Sequence, residues 1–312
     1  MSLEQALALV EAAPRRGYPN PTVGAVVVAD GTLVGEGVTE PAGGAHGEVV
    51  ALAAAGERAR GATLYVTMEP CAHHGRTPPC VEAIVAAGVA RVVVGCTDPN
   101  PKAAGGLEAL RAAGIPVELD ERQEARRQNL AWRTWVATGR PHVTLKLAVS
   151  LDGRVVVPGR RWVTGEASRR RVHELRADAD AVAVGMGTVR ADAPRLDVRE
   201  IESDRQPRGL AFGRGPLPDG STLELRPGPL ADELTALGGE GVQSLLVEGG
   251  PTLGAALVEA GLVDRLLVFV APVLAGEGPH SLADLAAPVD LTPLRAEPIG
   301  DDVLLEAFLS PP

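Results

Sequence analysis

The chain has 312 residues, of which 45% are hydrophobic and 22% charged, a composition typical of a globular protein and long enough for two domains. The formal net charge of −10 argues against broad, non-specific binding to nucleic acid, although it leaves room for a local anion pocket. No stretch approaches the roughly 20 apolar residues of a membrane span, and the opening MSLEQALALVEAAPRRGY has an amphipathic helical pattern rather than that of a signal sequence.

After the opening helix, the first half of the chain alternates between short apolar runs and helical patterns. We predict strands at 22–29, 33–38, 62–68, 91–96 and 116–119, and helices at 46–59, 80–88, 106–114 and 121–137. Asp30-Gly31, between the first two strands, is a hairpin signal. The alternation indicates an α/β sheet with a parallel portion.

A second series of elements begins after ATGRPH, where Gly139 is typical of a helix end and Pro141 cannot continue a helix. The predicted strands are 142–150, 181–185, 208–213, 265–272 and a run that starts at 244, and the predicted helices are 166–178 and 251–261. Segment 199–230, rich in Pro, Gly and Arg, predicts loops around one strand. Because no internal repeat relates the halves, we predict two different domains, 1–140 and 141–312.

One His, one Glu and two Cys form a candidate metal centre in a chain with only three cysteines. His46 and Glu48 lie in HGEVVAL, and Cys71 and Cys80 bound the stretch CAHHGRTPPC. Zinc prefers imidazole nitrogen and thiolate sulfur, and a catalytic zinc keeps one position for water. A carboxylate beside that water can take its proton and deliver it to a leaving amine. The pattern therefore predicts a catalytic zinc held by His46, Cys71 and Cys80, with Glu48 as the proton carrier.

Local sequence features favour bringing these four side chains together. Pro79 suits a helix start, where the helix dipole stabilises a thiolate at Cys80. His46 and Glu48 cannot share a helix face, so we expect the helix to begin near His46. The third cysteine, Cys96, ends a strand and is predicted to be core packing. A structural zinc, or simply two buried cysteines, are the alternatives.

The spacing departs from the zinc nucleobase deaminase signature of His-x-Glu with Pro-Cys-x-x-Cys, because eight residues separate the two cysteines. The stretches NPTVGAVVV, HGEVVAL and TLYVTMEPCAHHGRTPPC resemble the deaminase domain of the bifunctional riboflavin biosynthesis deaminase-reductase family. This resemblance implies a cytidine-deaminase-like three-layer domain in which His46, Cys71 and Cys80 bind zinc and Glu48 moves the proton. It also implies that Asn20 faces the substrate pyrimidine. His73 and His74 either line the substrate entrance or lie in a solvated loop.

The second half carries a weaker local signal in SLLVEGGPTLGAAL (244–257). A strand runs into Gly249-Gly250, and Pro251 begins a helix whose free N–H groups could bind phosphate. An ordinary strand-to-helix turn is the alternative. This half has no Gly-x-Gly-x-x-Gly followed about 20 residues later by an acidic residue, the arrangement that favours NADH.

Three longer stretches, LKLAVSLDGRV, WVTGEASRRRVHELRADADAVAVGMGTVRADAPRLDVR and VEGGPTLGAALVEAGLVDRL, resemble the reductase domain of the same family, in the same order. The resemblance implies a dihydrofolate-reductase-like α/β domain that uses NADPH. The NADPH contacts that it implies are Ala148, Trp162, Thr188, Asp192, Gly250, Pro251, Thr252, Leu253, Gly254, Ala255 and Ala256. The substrate contacts that it implies are Arg160, Arg176, Leu196, Arg199 and Glu248, while contacts from 200–242 stay unassigned. Arg176 and Arg199 suit a sugar phosphate.

The resemblance therefore implies a bifunctional enzyme of riboflavin biosynthesis. Zinc-dependent hydrolytic deamination of a diaminopyrimidinone ribotide would give an aminouracil, and NADPH would then reduce the ribosyl group to ribityl. We expect a cytoplasmic homo-oligomer that acts on this small molecule, with no nucleic-acid or membrane partner.

Two alternative functions stay open. The first is a nucleoside or tRNA deaminase with an unrelated appended domain, against which the long inter-cysteine loop and the negative charge count. The second is a structural zinc combined with a nucleotide-sensing module, which would have no need of Glu48.

Overall fold

The computed structural model describes residues 3–75, 77–282, 285–291 and 293–309, and the chain forms two compact units. The first unit ends at Ala137 and the second begins at Thr138. The exact bounds of the predicted domains, 1–140 and 141–312, remain a prediction. Among the described residues, none of the helices combines the length and the hydropathy that crossing a membrane requires.

The first unit is built around a five-stranded sheet. Its strands are β1 (Gly24–Ala29), β2 (Thr32–Val38), β3 (Thr63–Val66), β4 (Arg91–Val94) and β5 (Val117–Leu119). Its helices are α1 (Leu3–Ala12), α2 (Gly47–Ala55, followed by a 3₁₀ turn at Gly56–Ala59), α3 (Cys80–Ala87), α4 (Gly106–Ala112), α5 (Gln123–Gln128) and α6 (Leu130–Thr138). The strand order is β2-β1-β3-β4-β5, in which β3, β4 and β5 are parallel and β1 is antiparallel to both its neighbours. The predicted parallel portion of the sheet is confirmed.

The β1–β2 hairpin forms as its sequence predicts. Asp30 and Gly31 have positive φ angles of 48° and 75°, which a two-residue turn matched to the twist of the strands requires. Gly35 and Gly37 on β2 let helix α2 approach its backbone closely. A Cβ at Gly35 would lie 2.3 Å from the carbonyl oxygen of Ala51. Close packing against this hairpin therefore sets the position of α2.

The single helix predicted over 121–137 is wrong, because the chain breaks at Asn129 into α5 and α6. The buried Asn129 side chain accepts a hydrogen bond from the Thr22 N–H at 2.9 Å and donates one to the Thr22 carbonyl at 2.9 Å. Asn side chains that bond to backbone compete with helical hydrogen bonds. These two hydrogen bonds hold in place the segment that leads from Asn20 into β1.

The second unit contains an eight-stranded sheet in the order β12-β13-β11-β6-β10-β7-β8-β9. Its strands are β6 (His142–Ser150), β7 (Ala181–Gly185), β8 (Arg208–Phe212), β9 (Glu224–Arg226), β10 (Ser244–Val247), β11 (Arg265–Ala271), β12 (Leu294–Ile299) and β13 (Asp302–Phe308). Its helices are α7 (Glu166–Asp178), α8 (Met186–Asp192), α9 (Leu230–Gly239) and α10 (Pro251–Glu259). The pairings from β11 through β6, β10, β7 and β8 to β9 are parallel, and only those of β13 are antiparallel.

The prediction of one strand within 199–230 is wrong, because both β8 and β9 form there. Charged hydrogen bonds stabilise the three-residue strand β9. Arg208 donates to Glu224 at the start of β9, and Arg226 at its end donates to Glu240 at 2.8 Å. The hairpin of β12 and β13 was not predicted either. Short or amphipathic edge strands give a weak apolar signal, and their partners decide whether they form.

Replacing Asn129 with alanine should destabilise the first unit by about 1–3 kcal/mol, because the buried N–H and carbonyl of Thr22 would lose their partners. Urea unfolding followed by circular dichroism measures the change. Gln123→Ala, at an exposed position of α5, is the matched control and should leave the midpoint unchanged. Equal midpoints for the two variants would contradict the role assigned to Asn129.

Candidate metal centre and cofactor cradle

The three predicted metal ligands lie together in the first unit. The ligand atoms of His46, Cys71 and Cys80 are all within 4.8 Å of one another. His46 Nδ1 is 3.2 Å from Cys80 Sγ and 3.6 Å from Cys71 Sγ. One nitrogen and two sulfurs therefore face a common point, which is a donor set suited to zinc rather than to Mg²⁺ or Ca²⁺.

Helix starts and strand ends position these side chains. His46 is the N-cap of α2, with an extended backbone (φ −74°, ψ 157°), and this places it just before the helix as predicted. Gly47 makes the close approach possible, because a Cβ there would lie 2.3 Å from the carbonyl oxygen of Val23. Cys80 is the first residue of α3, after Pro79, and its N–H donates to Cys71 Sγ at 3.3 Å.

The neighbours of Cys71 favour its thiolate form, whereas the hydrogen bond to Cys71 raises the pKa of the Cys80 thiol. The hydrogen bond to Cys80 lowers the pKa of the Cys71 thiol, and the His46 imidazole lowers it further. The thiolate is the form that binds a metal.

Glu48 occupies the first turn of α2 and is only 3% exposed. Burial raises the pKa of its carboxyl group to about 7. Its Oε2 atom has no hydrogen-bond partner among the described residues. A buried carboxyl group with one unpaired oxygen, beside three metal donors, is suited to taking up and releasing a proton.

His46, Glu48 and Cys71 line a cavity of about 390 Å³. The predicted substrate residue Asn20 lines it, and so does His73. His74 instead lies at the surface, where its Nε2 is 3.5 Å from Glu82 Oε1. The two histidines that the sequence left undecided thus differ: one faces the cavity, and the other faces solvent.

Sequence reasoning missed the far wall of this cavity, which includes Asp98 and Asn100. Burial raises the pKa of Asp98 to about 6. The buried Glu69 carboxylate holds this segment in place, since it accepts N–H hydrogen bonds from Asp98 (3.1 Å), Gly105 (2.9 Å) and Leu107 (3.3 Å). The sequence offered one signal for this wall of the cavity, the acidic residue Glu69 two positions before Cys71.

In the second unit, a buried ionic cluster surrounds the predicted substrate residue Glu248. Arg176 Nε donates to Glu248 Oε1 at 2.6 Å, and Lys146 Nζ lies 3.4 Å from Glu248 Oε2. Burial acts to raise the pKa of Glu248, but Lys146 and Arg176 outweigh it and hold the pKa at about 2. Lys146 was also missed, although it is one of only two lysines and lies within a buried strand.

The other predicted substrate residues differ in position. Arg199 is exposed and pairs with Asp197, whose carbonyl accepts a hydrogen bond from Arg176 Nη1 at 2.9 Å. Leu196 is buried in the hydrophobic core of the second unit and has a positive φ of 56°. Arg160 is exposed and lies outside the ionic cluster that the described residues form.

The predicted cofactor loop begins α10. Gly250 is its N-cap, and Pro251 is its first residue, so the N–H groups of the following turn lack intrahelical partners. A Cβ at Gly250 would lie 3.3 Å from Thr188 Oγ1, and one at Gly185 would lie 3.4 Å from the Cβ of Leu253. The starts of α8 and α10 therefore lie side by side. Together they form a backbone cradle that suits a pyrophosphate.

The remaining predicted cofactor residues surround this cradle to different extents. Ala148 lies on the same face of β6 as Lys146. Thr252 is exposed, Leu253 and Ala256 are half-buried, and Gly254 and Ala255 are buried. Asp192 is exposed at the end of α8. Trp162 is half exposed, and the guanidinium carbons of Arg161 and Arg169 lie 5.1 and 5.6 Å from the centroid of its ring.

Two protein families match the chain. The cytidine and deoxycytidylate deaminase zinc-binding region matches residues 2–96, and the RibD C-terminal domain matches residues 141–216 and 229–305. The first match contains the metal centre, and the second contains the ionic cluster and the cradle. The alternative of an unrelated appended domain is therefore wrong.

Curated relatives and solved structures are similar over almost the whole chain. The riboflavin biosynthesis protein RibD of Aquifex aeolicus is 40% identical, with 96% of each chain covered. That of Mycobacterium tuberculosis strain H37Rv is 42% identical, with 92% of this chain and 91% of the relative covered.

Among solved structures, Acinetobacter baumannii RibD (form 1) superposes with a TM-score of 0.81 at 37% identity, covering 98% of this chain and 97% of that one. A diaminohydroxyphosphoribosylaminopyrimidine deaminase/5-amino-6-(5-phosphoribosylamino)uracil reductase of Thermotoga maritima superposes with a TM-score of 0.84 at 31% identity, with the same coverage. These findings confirm the predicted fold class of both halves.

Purified protein should contain about one zinc ion per chain, bound by one nitrogen and two sulfurs. Elemental analysis measures the zinc content, and X-ray absorption spectroscopy identifies the ligand atoms of the zinc ion. Cys80→Ser should lose most of the metal. Cys96→Ser is the control, because the Cys96 thiol is buried and donates to the Thr67 carbonyl at 3.3 Å, away from the ligands. Active protein without zinc would contradict the site.

Proposed function

This chain belongs to the RibD family of riboflavin biosynthesis, and we propose that its first unit deaminates a diaminopyrimidinone ribotide that its second unit then reduces. The enzyme is a bifunctional zinc-dependent deaminase and NADP-dependent reductase. The observation that carries the assignment of the first reaction is the unpaired, buried carboxyl group of Glu48 beside three converging metal donors. A purely structural zinc site would have no use for such a group.

In the first unit, His46, Cys71 and Cys80 hold the zinc ion. When bound, zinc supplies Lewis-acid activation of the water that attacks the ring carbon bearing the amino group. Glu48 takes a proton from this water through its free oxygen and passes it to the departing amine. The water oxygen becomes the carbonyl oxygen of the aminouracil, and ammonia leaves.

The cavity beside the ligands receives the pyrimidine. Its volume of about 390 Å³ falls within the range of small-molecule pockets. Asn20, Asp98 and Asn100 line its walls and offer carboxylate and amide groups to the donors and acceptors of the ring. The hydrogen bonds from Asn129 to the Thr22 backbone and from the Asp98 N–H to Glu69 keep these groups in position.

In the second unit, the first turn of α10 binds the pyrophosphate of NADPH. When bound, NADPH supplies the hydride that converts the ribosyl group to ribityl. Glu248, kept ionised by Lys146 and Arg176, accepts hydrogen bonds from the sugar hydroxyls. Arg176 is buried in its pair with Glu248, whereas Arg199, although it pairs with Asp197, is exposed and is therefore the better placed of the two for the sugar phosphate. A cytoplasmic location and a homo-oligomeric state stay predictions.

An assay with the diaminopyrimidinone ribotide, with and without NADPH, tests both steps when both products are followed. Glu48→Gln should lower deamination by more than about 10²-fold, because the water loses its proton acceptor. It should retain its zinc and its reduction of supplied aminouracil ribotide. Loss of both activities in a folded Glu48→Gln protein would contradict the assignment of the reactions to separate sites.

Gly250→Val should raise the KM for NADPH roughly tenfold while leaving deamination unchanged, because the added side chain crowds Thr188 and fills the approach to the cradle. Steady-state kinetics of each reaction measures the change. Gly239→Val is the matched control, since a Cβ at the exposed Gly239 meets no atom within 4 Å. An unchanged KM for NADPH in the Gly250 variant would show that the cofactor binds elsewhere.

A further inference from the structure

The buried histidine of α7 has no role in the sites described so far. His173 is 4% exposed, and its Nδ1 atom accepts a hydrogen bond from the backbone N–H of Arg199 at 3.3 Å. Its other ring nitrogen, Nε2, lies 3.6 Å from Glu200 Oε1. Because a backbone N–H can only donate, Nδ1 carries no proton, and the neutral ring presents its one N–H at Nε2, toward Glu200. Burial lowers the pKa of His173, which favours this neutral form.

Side chains hold the segment to which Arg199 belongs. Residues 193–199 lie outside any helix or strand. The Gln206 side chain accepts a hydrogen bond from the Val198 N–H and donates one to the Val198 carbonyl, both at 2.9 Å. The bond from the Arg199 N–H to His173 follows directly in the chain. Two successive residues are therefore fixed through their backbone, while the Arg199 side chain stays exposed.

Helix α7 is a firm support for this segment. Val172 and Leu175 bury one side of the helix in a hydrophobic core. His173 and Arg176 are three positions apart, a spacing that puts both on one face of the helix. Arg176 Nη1 donates to the Asp197 carbonyl at 2.9 Å. The helix thus holds the segment at two points, one on either side of the pair of bonds to the glutamine.

We propose that His173 is a positioning residue of the reductase reaction, which fixes the backbone of Arg199 so that its guanidinium meets the sugar phosphate of the substrate. The proposal rests on the reductase function, and on the phosphate contact of Arg199, proposed above. A guanidinium on a backbone that is already ordered loses less conformational entropy when it binds. The contribution of His173 should therefore appear in substrate binding, and only when the substrate carries a phosphate.

Two amide variants of the full-length enzyme separate the two ring nitrogens. His173→Asn places an amide near the position of Nδ1 and should keep the KM for aminouracil ribotide near that of the wild type. His173→Gln places its amide near the position of Nε2, and should raise this KM roughly tenfold with little change in kcat, the loss of about one hydrogen bond. The KM for NADPH should stay unchanged in both, which also shows that the second unit is folded. Arg170→Gln, at an exposed position on α7, is the matched control.

The aminouracil riboside, which lacks the phosphate, gives a readout that a merely structural role would not produce. His173→Gln should leave the KM for the riboside as it is in the wild type. The double variant His173→Gln/Arg199→Ala should have the same KM for the ribotide as Arg199→Ala alone, because the histidine acts through the arginine.

Three outcomes would contradict the proposal at different levels. A wild-type KM for the ribotide in His173→Gln, or an equal rise for ribotide and riboside, would overturn the role of His173 alone. An unchanged KM for the ribotide in Arg199→Ala would overturn the phosphate contact together with the role of His173. A wild-type enzyme that reduces no ribotide with NADPH would overturn the proposed reductase function and, with it, the inference.

Discussion

The close contact between the start of α2 and the β1–β2 hairpin is the constraint on which the metal centre depends. Gly35 and Gly47 remove the side chains that would hold the helix away from the hairpin and from the segment before β1. His46 can then lie at the helix N-cap and Glu48 in the first turn of the helix, close to the two cysteines. A displacement of α2 by the thickness of one methyl group would separate the nitrogen donor from the sulfurs.

Two buried glutamates illustrate how one residue type acquires two roles. In the part of the chain that the structure describes, no cation pairs with the free oxygen of Glu48, and burial raises the pKa of its carboxyl group to about 7. Glu248 is also largely enclosed, but the effect of burial is outweighed by Lys146 and Arg176, which hold the pKa of its carboxyl group at about 2. The first group can carry a proton near neutral pH, whereas the second remains a fixed anion.

The reductase unit places several of its candidate functional groups where parallel strands end. Glu248 follows β10, the start of α8 follows β7, and the start of α10 comes shortly after Glu248. Neighbouring strands of one parallel sheet therefore bring the Glu248 carboxylate and the two helix starts to the same edge of the sheet. Lys146 lies within the adjacent strand β6 and reaches Glu248 from there.

The sequence by itself determined the α/β class, most strands and helices, and the candidate metal ligands, because apolar periodicity and the chemistry of zinc leave few alternatives for residues such as His46 and Cys80. Only the tertiary structure decided the break at Asn129, the bonds from Glu69 to the Asp98 segment, and the pairing of Lys146 with Glu248. Each of these joins residues far apart in the chain, as Asn129 and Thr22 are, 107 positions apart. Local patterns carry no information about such partners, since the fold alone brings them within hydrogen-bond distance.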